Sequence, residues 1–134
     1  MSEEERRVHA AALKLRELLN DSCPRCGAAF VDFTASCALT CHRCGCAFCA
    51  WCLTDCGADA HRHVAMCDRN LAPGRNLFSS PELVEQGRRV RRSEAVTDML
   101  SALPQDVAAQ VAAATQRELA DVGLEEVAAL FMGL

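Results

Sequence analysis

Three Cys-x-x-Cys pairs follow one another in this sequence: Cys23-Pro-Arg-Cys26, Cys41-His-Arg-Cys44 and Cys49-Ala-Trp-Cys52. Such a turn presents two thiolates to one metal ion with little loop strain, and a tetrahedral zinc site needs four ligands. The first two pairs, separated by 14 residues, therefore close one site from Cys23, Cys26, Cys41 and Cys44. The third pair needs two more ligands from downstream, where His61, His63 and Cys67 stand. His63 and Cys67 are four residues apart and share one face of a helix. His61, six from Cys67, needs a loop to reach the same ion. The preferred second site is Cys49, Cys52, His63 and Cys67, with His61 the competing histidine and the remaining imidazole hydrogen-bonded nearby. Iron is the alternative for an all-cysteine site, but the mixed sulfur and nitrogen set favours zinc.

Cys37, Cys46 and Cys56 are left over. The ordinary account of such residues is a small buried hydrophobe. Cys56 also competes with a histidine for the second ion, given the affinity of zinc for thiolate.

Other features narrow the class. All ten cysteines lie between positions 23 and 67, and the acidic start Met1-Ser2-Glu3-Glu4-Glu5 has no apolar signal region. In a reducing compartment such a cluster reads as metal ligands rather than disulfides. The expected location is cytoplasmic, with the nucleus left open. No apolar run is long enough to span a bilayer. The net charge of −4 divides as −1 over 1–22, 0 over 23–67 and −3 over 68–134, which argues against a general nucleic-acid binder. The run Arg88-Arg89-Val90-Arg91-Arg92 sits among Glu82, Glu85 and Glu94 and reads as a solvated helix face.

The elements that must position these ligands are short. A helix is expected over 2–20, with Ser2 and Glu5 as a capping box and Val8, Ala11, Ala12, Leu15, Leu18 and Leu19 at helical spacing. Within the cysteine block, Ala28–Phe33 reads as a strand, Thr34–Ser36 as a turn, and Leu39-Thr40 as a second strand running into Cys41. A helix is expected to start at Asp59 in the segment Ala58–Asn70. Leu71-Ala72-Pro73-Gly74 breaks the chain. Ser80-Pro81-Glu82 then starts a helix with Leu83, Val90, Val96, Met99, Leu100 and Leu103 on its apolar face and a break near Arg92-Ser93. Pro104 opens another helix to about Val122, capped by Gly123, and Glu125–Met132 forms a last one. The fold class is thus α+β: a small two-zinc module with short β-hairpins over 23–70, an N-terminal amphipathic helix over 1–22, and a helical region over 71–134. With Phe30, Phe33, Phe48 and Trp51 as its only large anchors, the module buries too little apolar surface to fold unaided. Structural zinc supplies about 10–16 kcal/mol, coupled to folding.

The run Cys23-Pro-Arg-Cys26, then Cys41-His-Arg-Cys44-Gly-Cys-Ala-Phe48-Cys49-Ala-Trp-Cys52, resembles the zinc modules of RING-between-RING ubiquitin ligases. The resemblance covers about a third of the chain. The in-between-RING domain and the catalytic second RING-like domain of that family share this spacing and bind two zinc ions in sequence. The resemblance implies an intracellular interaction module whose protein partner is ubiquitin or a ubiquitin-conjugating enzyme. In the catalytic member, a further cysteine before the second pair accepts ubiquitin as a thioester, and Cys37 stands close to that place. The alternative implied function is therefore a ubiquitin-protein transferase with Cys37 as nucleophile. Leu39 occupies the position where the family carries its histidine base, and the gap from Cys37 to Cys41 is one residue shorter. The family's histidine also follows the third pair closely, whereas here eight residues separate Cys52 from His61.

Overall fold

The computed structural model describes residues 1–29 and 35–134. Its elements are α1 (Glu3–Leu19), β1 (Ala38–Thr40), β2 (Ala47–Cys49), α2 (His61–Met66), a single 3-10 turn at Pro73–Arg75, α3 (Pro81–Ser101), α4 (Gln105–Ala114), α5 (Gln116–Asp121) and α6 (Glu125–Met132). The protein is α+β, as the sequence indicates: among the described residues, an antiparallel hairpin has helices before and after it. No described helix is long and apolar enough to cross a membrane.

The chain forms two compact units. One combines Met1–Asn20 with Arg89–Leu134, and the other is Asp21–Arg88. These limits differ from a division at 22/23 and 70/71. The breaker at 71–74 does not end the cysteine-rich unit, because the chain behind it turns back into that unit's core. There the Leu77 carbonyl accepts from the Cys37 amide (2.8 Å), and Ala72 and Val84 are buried with Trp51.

In the helical unit, α1 starts as its sequence dictates. The Glu5 amide donates to Ser2 Oγ (3.1 Å) and the Ser2 amide to Glu5 Oε1 (3.2 Å), a complete capping box. Ala12, Leu15 and Leu19 bury the inner face of α1 against residues that include Val107, Val111 and Leu119. α3 runs unbroken through Arg92 and Ser93. Arg92 is only 6% exposed and Arg88 is paired with Asp21 at 3.6 Å, so the arginine run is a partly buried face rather than a solvated one. The helix expected from Pro104 to Val122 is divided at Thr115. Its hydroxyl and its amide both donate to the Val111 carbonyl (2.8 and 3.1 Å), a side-chain bond that competes with the regular helical pattern. Gly123, at φ +79°, then closes α5 with the paired bonds of a Schellman cap: its amide to the Ala120 carbonyl and the Leu124 amide to the Leu119 carbonyl.

In the cysteine-rich unit, β1 and β2 pair with Ala38 opposite Cys49, Leu39 opposite Phe48 and Thr40 opposite Ala47. Two strands of three residues are too little to stand alone in water. Of the strand expected over 28–33, Ala29 forms an isolated bridge with Ser22, and positions 30–33 lie outside the described residues, as does Thr34 of the turn. α2 begins at His61 rather than Asp59. The Asp59 carboxylate accepts from the His61 amide two residues on, which makes a local turn in place of a helix cap.

Candidate metal centres

Each Cys-x-x-Cys pair sits on the same backbone device. The residue after its second cysteine donates its amide to the carbonyl of the first: Gly27 to Cys23 (2.9 Å), Gly45 to Cys41 (2.9 Å) and Leu53 to Cys49 (2.8 Å). All three adopt the left-handed conformation, at φ +76°, +77° and +58°. Glycine does this without cost, and leucine does not. Leu53 is held there because its side chain packs against the buried cluster of Cys23, Cys46 and Phe48.

These turns bring the ligands together as two tetrads, Cys23–Cys26–Cys41–Cys44 and Cys49–Cys52–His63–Cys67, with the donor atoms of each within 4.8 Å of one another. In the first, Cys23 Sγ lies 3.6 Å from Cys44 Sγ, and Cys26 Sγ lies 3.7 Å from Cys41 Sγ. A tetrahedral ion with bonds of about 2.3 Å to sulfur requires sulfur–sulfur edges of about 3.8 Å, so the first tetrad already has the right dimensions. In the second, Cys52 Sγ is 3.1 Å from His63 Nε2. The same ion needs about 3.6 Å between sulfur and nitrogen, so that pair opens by roughly half an ångström to admit it. Both donor sets fit a tetrahedral metal ion.

The electrostatics point the same way. Crowded thiols force one another apart in proton affinity. In the first tetrad burial works to raise Cys23, but the amides of Cys26 and Arg25 and the neighbouring thiols outweigh it and hold the thiol down at about 6. Cys44 gains from the amide of Cys46, yet burial and its three thiol neighbours push it up to about 12. In the second tetrad, hydrogen bonds from Cys49, then Thr54 and His63, hold Cys52 down at about 4 against the burial that opposes them. Cys49 is driven strongly upward by Cys52 and by burial, and burial raises Cys67. A bound dication replaces this competition by keeping every ligand thiol deprotonated.

His61 lies outside the second tetrad. Its Nδ1 and its amide both bond the Asp59 carboxylate at an exposed position, and His63, two residues on, supplies the imidazole. The three remaining cysteines also lie outside both tetrads, and all ten are free thiols. Cys37 is fully buried; burial raises its thiol, while the Trp51 indole and the Arg88 charge act weakly against this. Trp51 Nε1 makes no hydrogen bond of normal geometry, so its influence on Cys37 is one of proximity. Among the described residues no imidazole acts on that thiol. Cys46 is also fully buried and is pushed up to about 11 by burial and by Asp55. Cys56 is half-buried and donates to the Thr54 carbonyl (3.3 Å).

One pair of residues near the centres is not evident from ligand spacing. Arg25, inside the first Cys-x-x-Cys turn, makes two bonds to Asp55, at 3.1 and 3.0 Å. The only hint in the sequence is an opposite charge placed just after the third turn. No protein-family model matches this chain, and no curated protein or solved structure does.

Proposed function

We propose that the chain is a protein-interaction module of the RING-between-RING type, held together by two structural zinc ions. The observation that carries the metal part is the closure of two four-ligand tetrads in chain order, the first finished at Cys44 before the second begins at Cys49. Zinc is the ion that suits both donor sets, four sulfurs in one and three sulfurs with one imidazole in the other. With four protein ligands to each ion, zinc supplies cross-linking of the chain. The type of module and its partner, ubiquitin or a ubiquitin-conjugating enzyme, rest on the sequence resemblance.

The transferase alternative asks Cys37 to attack a thioester. A nucleophilic thiol needs exposure and a lowered pKa. Cys37 has neither, being fully buried with its thiol raised. Two experiments test the proposal. Elemental analysis of the folded chain should give two zinc ions per molecule, and fewer would end the two-site reading. Titration of isotope-labelled ubiquitin with the zinc-loaded chain should move a contiguous set of ubiquitin resonances, and no movement at millimolar concentration would remove ubiquitin as partner. A reductant-sensitive ubiquitin adduct, formed from a charged conjugating enzyme and lost in Cys37→Ser, would restore the transferase.

A further inference from the structure

The two tetrads share a wall. β2 starts just after Cys44 and Cys46 and ends on Cys49, the first ligand of the second site. Behind Cys52 the chain turns back along β2. The Cys49 amide donates to the Thr54 carbonyl (3.4 Å), the Cys56 amide to Ala47 (2.7 Å), and the Ala47 amide to Gly57 (2.9 Å). This loop, 53–57, also reaches into the first site. Leu53 packs against the buried cluster that Cys23 forms with Cys46 and Phe48, and Asp55 grips the Arg25 guanidinium through both oxygens while accepting the Gly57 amide at 2.8 Å. Arg25 in turn donates its own amide to Cys23 Sγ (3.4 Å). One end of the loop therefore hangs from a ligand of the second ion, and its middle steadies a ligand of the first.

We infer that loop 53–57 couples the two centres, so that filling the second site tightens the first, with the Arg25–Asp55 pair carrying the effect. This rests on the metal-binding reading above. Ordering the loop, with Leu53 in a left-handed conformation, costs free energy that must be met when either ion binds. Whichever ion arrives second finds the loop already ordered and binds more tightly, without any further change in structure. By linkage the effect is reciprocal. The ion pair is partly exposed (46% and 40%) and is a weak contributor to stability by itself. Its importance lies in what it joins. The charge of Asp55 beside a four-thiolate site opposes metal binding there, whereas its grip on Arg25 favours it. The absolute affinity of the first site therefore mixes two signs. A ratio of affinities with the second site filled and empty cancels the charge effect, which is present in both.

The test uses the full chain and cobalt(II), whose absorption distinguishes an all-sulfur site from one with three sulfurs and a nitrogen. The affinity of the first site is measured by chelator competition with the second site intact, and again with it disabled by His63→Ala and Cys67→Ser. Both measurements are then repeated with Asp55→Asn. Disabling the second site should weaken the first about tenfold when Asp55 is present, within the usual range of site-to-site coupling, and about threefold or less, below that range, when it is replaced. A ratio of one with Asp55 present, or the same ratio with and without it, overturns the coupling. If the disabled chain does not fold, native mass spectrometry of otherwise intact chains at half-saturating zinc decides. Asp55→Asn should raise the fraction carrying one ion, and an unchanged fraction overturns the coupling. A chain that takes up no metal overturns the metal-binding reading itself, a result distinct from two ions bound independently.

Discussion

Gly87 is the position where a single added methyl group should be felt at a metal centre. It lies inside α3, where Gly→Ala ordinarily stabilises by about 1 kcal/mol. Here a Cβ would sit 2.7 Å from Trp51 Cε3 and 2.8 Å from Cζ3. Carbon atoms rest about 3.5–4.0 Å apart, so the indole ring must retreat by roughly 0.8 Å or more. It has little room to do so, since Trp51 is fully buried and its neighbour Ala50 is tied by its amide to the Cys37 carbonyl (2.9 Å). Overpacking of this kind costs about 1–3 kcal/mol. Subtracting the helical gain leaves Gly87→Ala less stable by about 1 kcal/mol, at the centre of a span of about 0–2 kcal/mol. With a urea dependence near 1–2 kcal/mol/M, the unfolding midpoint of the metal-loaded unit should fall by roughly 0.5–1 M. Trp51 is the only tryptophan, so its fluorescence reports this unit directly. Trp51 is also adjacent in the chain to Cys52 and two residues from Cys49, so displacing it should loosen metal at the second tetrad more than at the first. Gln86→Ala, at an exposed position of the same helix, supplies the control and should leave the midpoint nearly unchanged. A Gly87→Ala midpoint above that of the parent would refute the packing argument.

Removing metal with a strong chelator should abolish Trp51 burial in 21–88 while the helical unit keeps its far-ultraviolet signal, because that unit has an aliphatic core of its own; a joint loss of both signals would contradict the division. Leu53→Gly should change stability by less than about 1 kcal/mol, relief of left-handed strain offsetting lost contact with Phe48, whereas Gly45→Ala, with nothing near its Cβ to compensate, should cost about 1 kcal/mol; denaturant midpoints of the zinc-loaded chains compare them. Leu119→Ala, at a fully buried site, should destabilise the helical unit by about 2–5 kcal/mol in thermal melts followed by circular dichroism. The Arg16 guanidinium, 2.8 Å from Glu118, holds that carboxyl below its ordinary value, so the pair contributes above the unfolded carboxylate's pKa and ceases to as pH falls through the folded one. Stability curves of the parent and Glu118→Gln should accordingly converge in acid, and a gap that widened there would reverse the assigned sign.

The two candidate metal tetrads were the most legible part of the chain, because the chemistry forces local spacing: two residues between thiols in each turn, and one helical turn between His63 and Cys67. The choice between His61 and His63 followed from the same geometry, and Asp59 completes it by engaging His61. Caps were equally legible at Ser2, Ser80 and Gly123, where one side chain or one left-handed residue satisfies named backbone groups. Long-range decisions were not. Nothing local in Leu71–Gly74 tells whether a breaker separates units or turns the chain back, and the pairing of Leu77 with Cys37 decides it. The arginine run shows the same limit. Charge pattern alone describes a solvated face, but Arg92 is buried because of what packs around α3.

Cys37 shows how a chemically suggestive residue can be a structural one. Its amide donates to Leu77 and its carbonyl accepts from Ala50, so the residue joins the returning segment 77–79 to the third Cys-x-x-Cys turn. Between those two bonds the thiol faces the same core as Trp51, Val64 and Val84. Exposing it for reaction would break that junction and uncover the largest side chain of the unit. A small apolar group of similar volume should therefore serve as well. Cys37→Ala should retain both metal ions and most of the stability, at the modest cost of removing a buried sulfur, while Cys37→Asp should unfold the unit by burying a charge beside an Arg88 guanidinium that Asp21 already engages. Metal content and Trp51 fluorescence of the two variants measure this directly. If Cys37→Asp folded with two ions bound, the side chain would have to reach solvent, and the buried-core account of this position would fail.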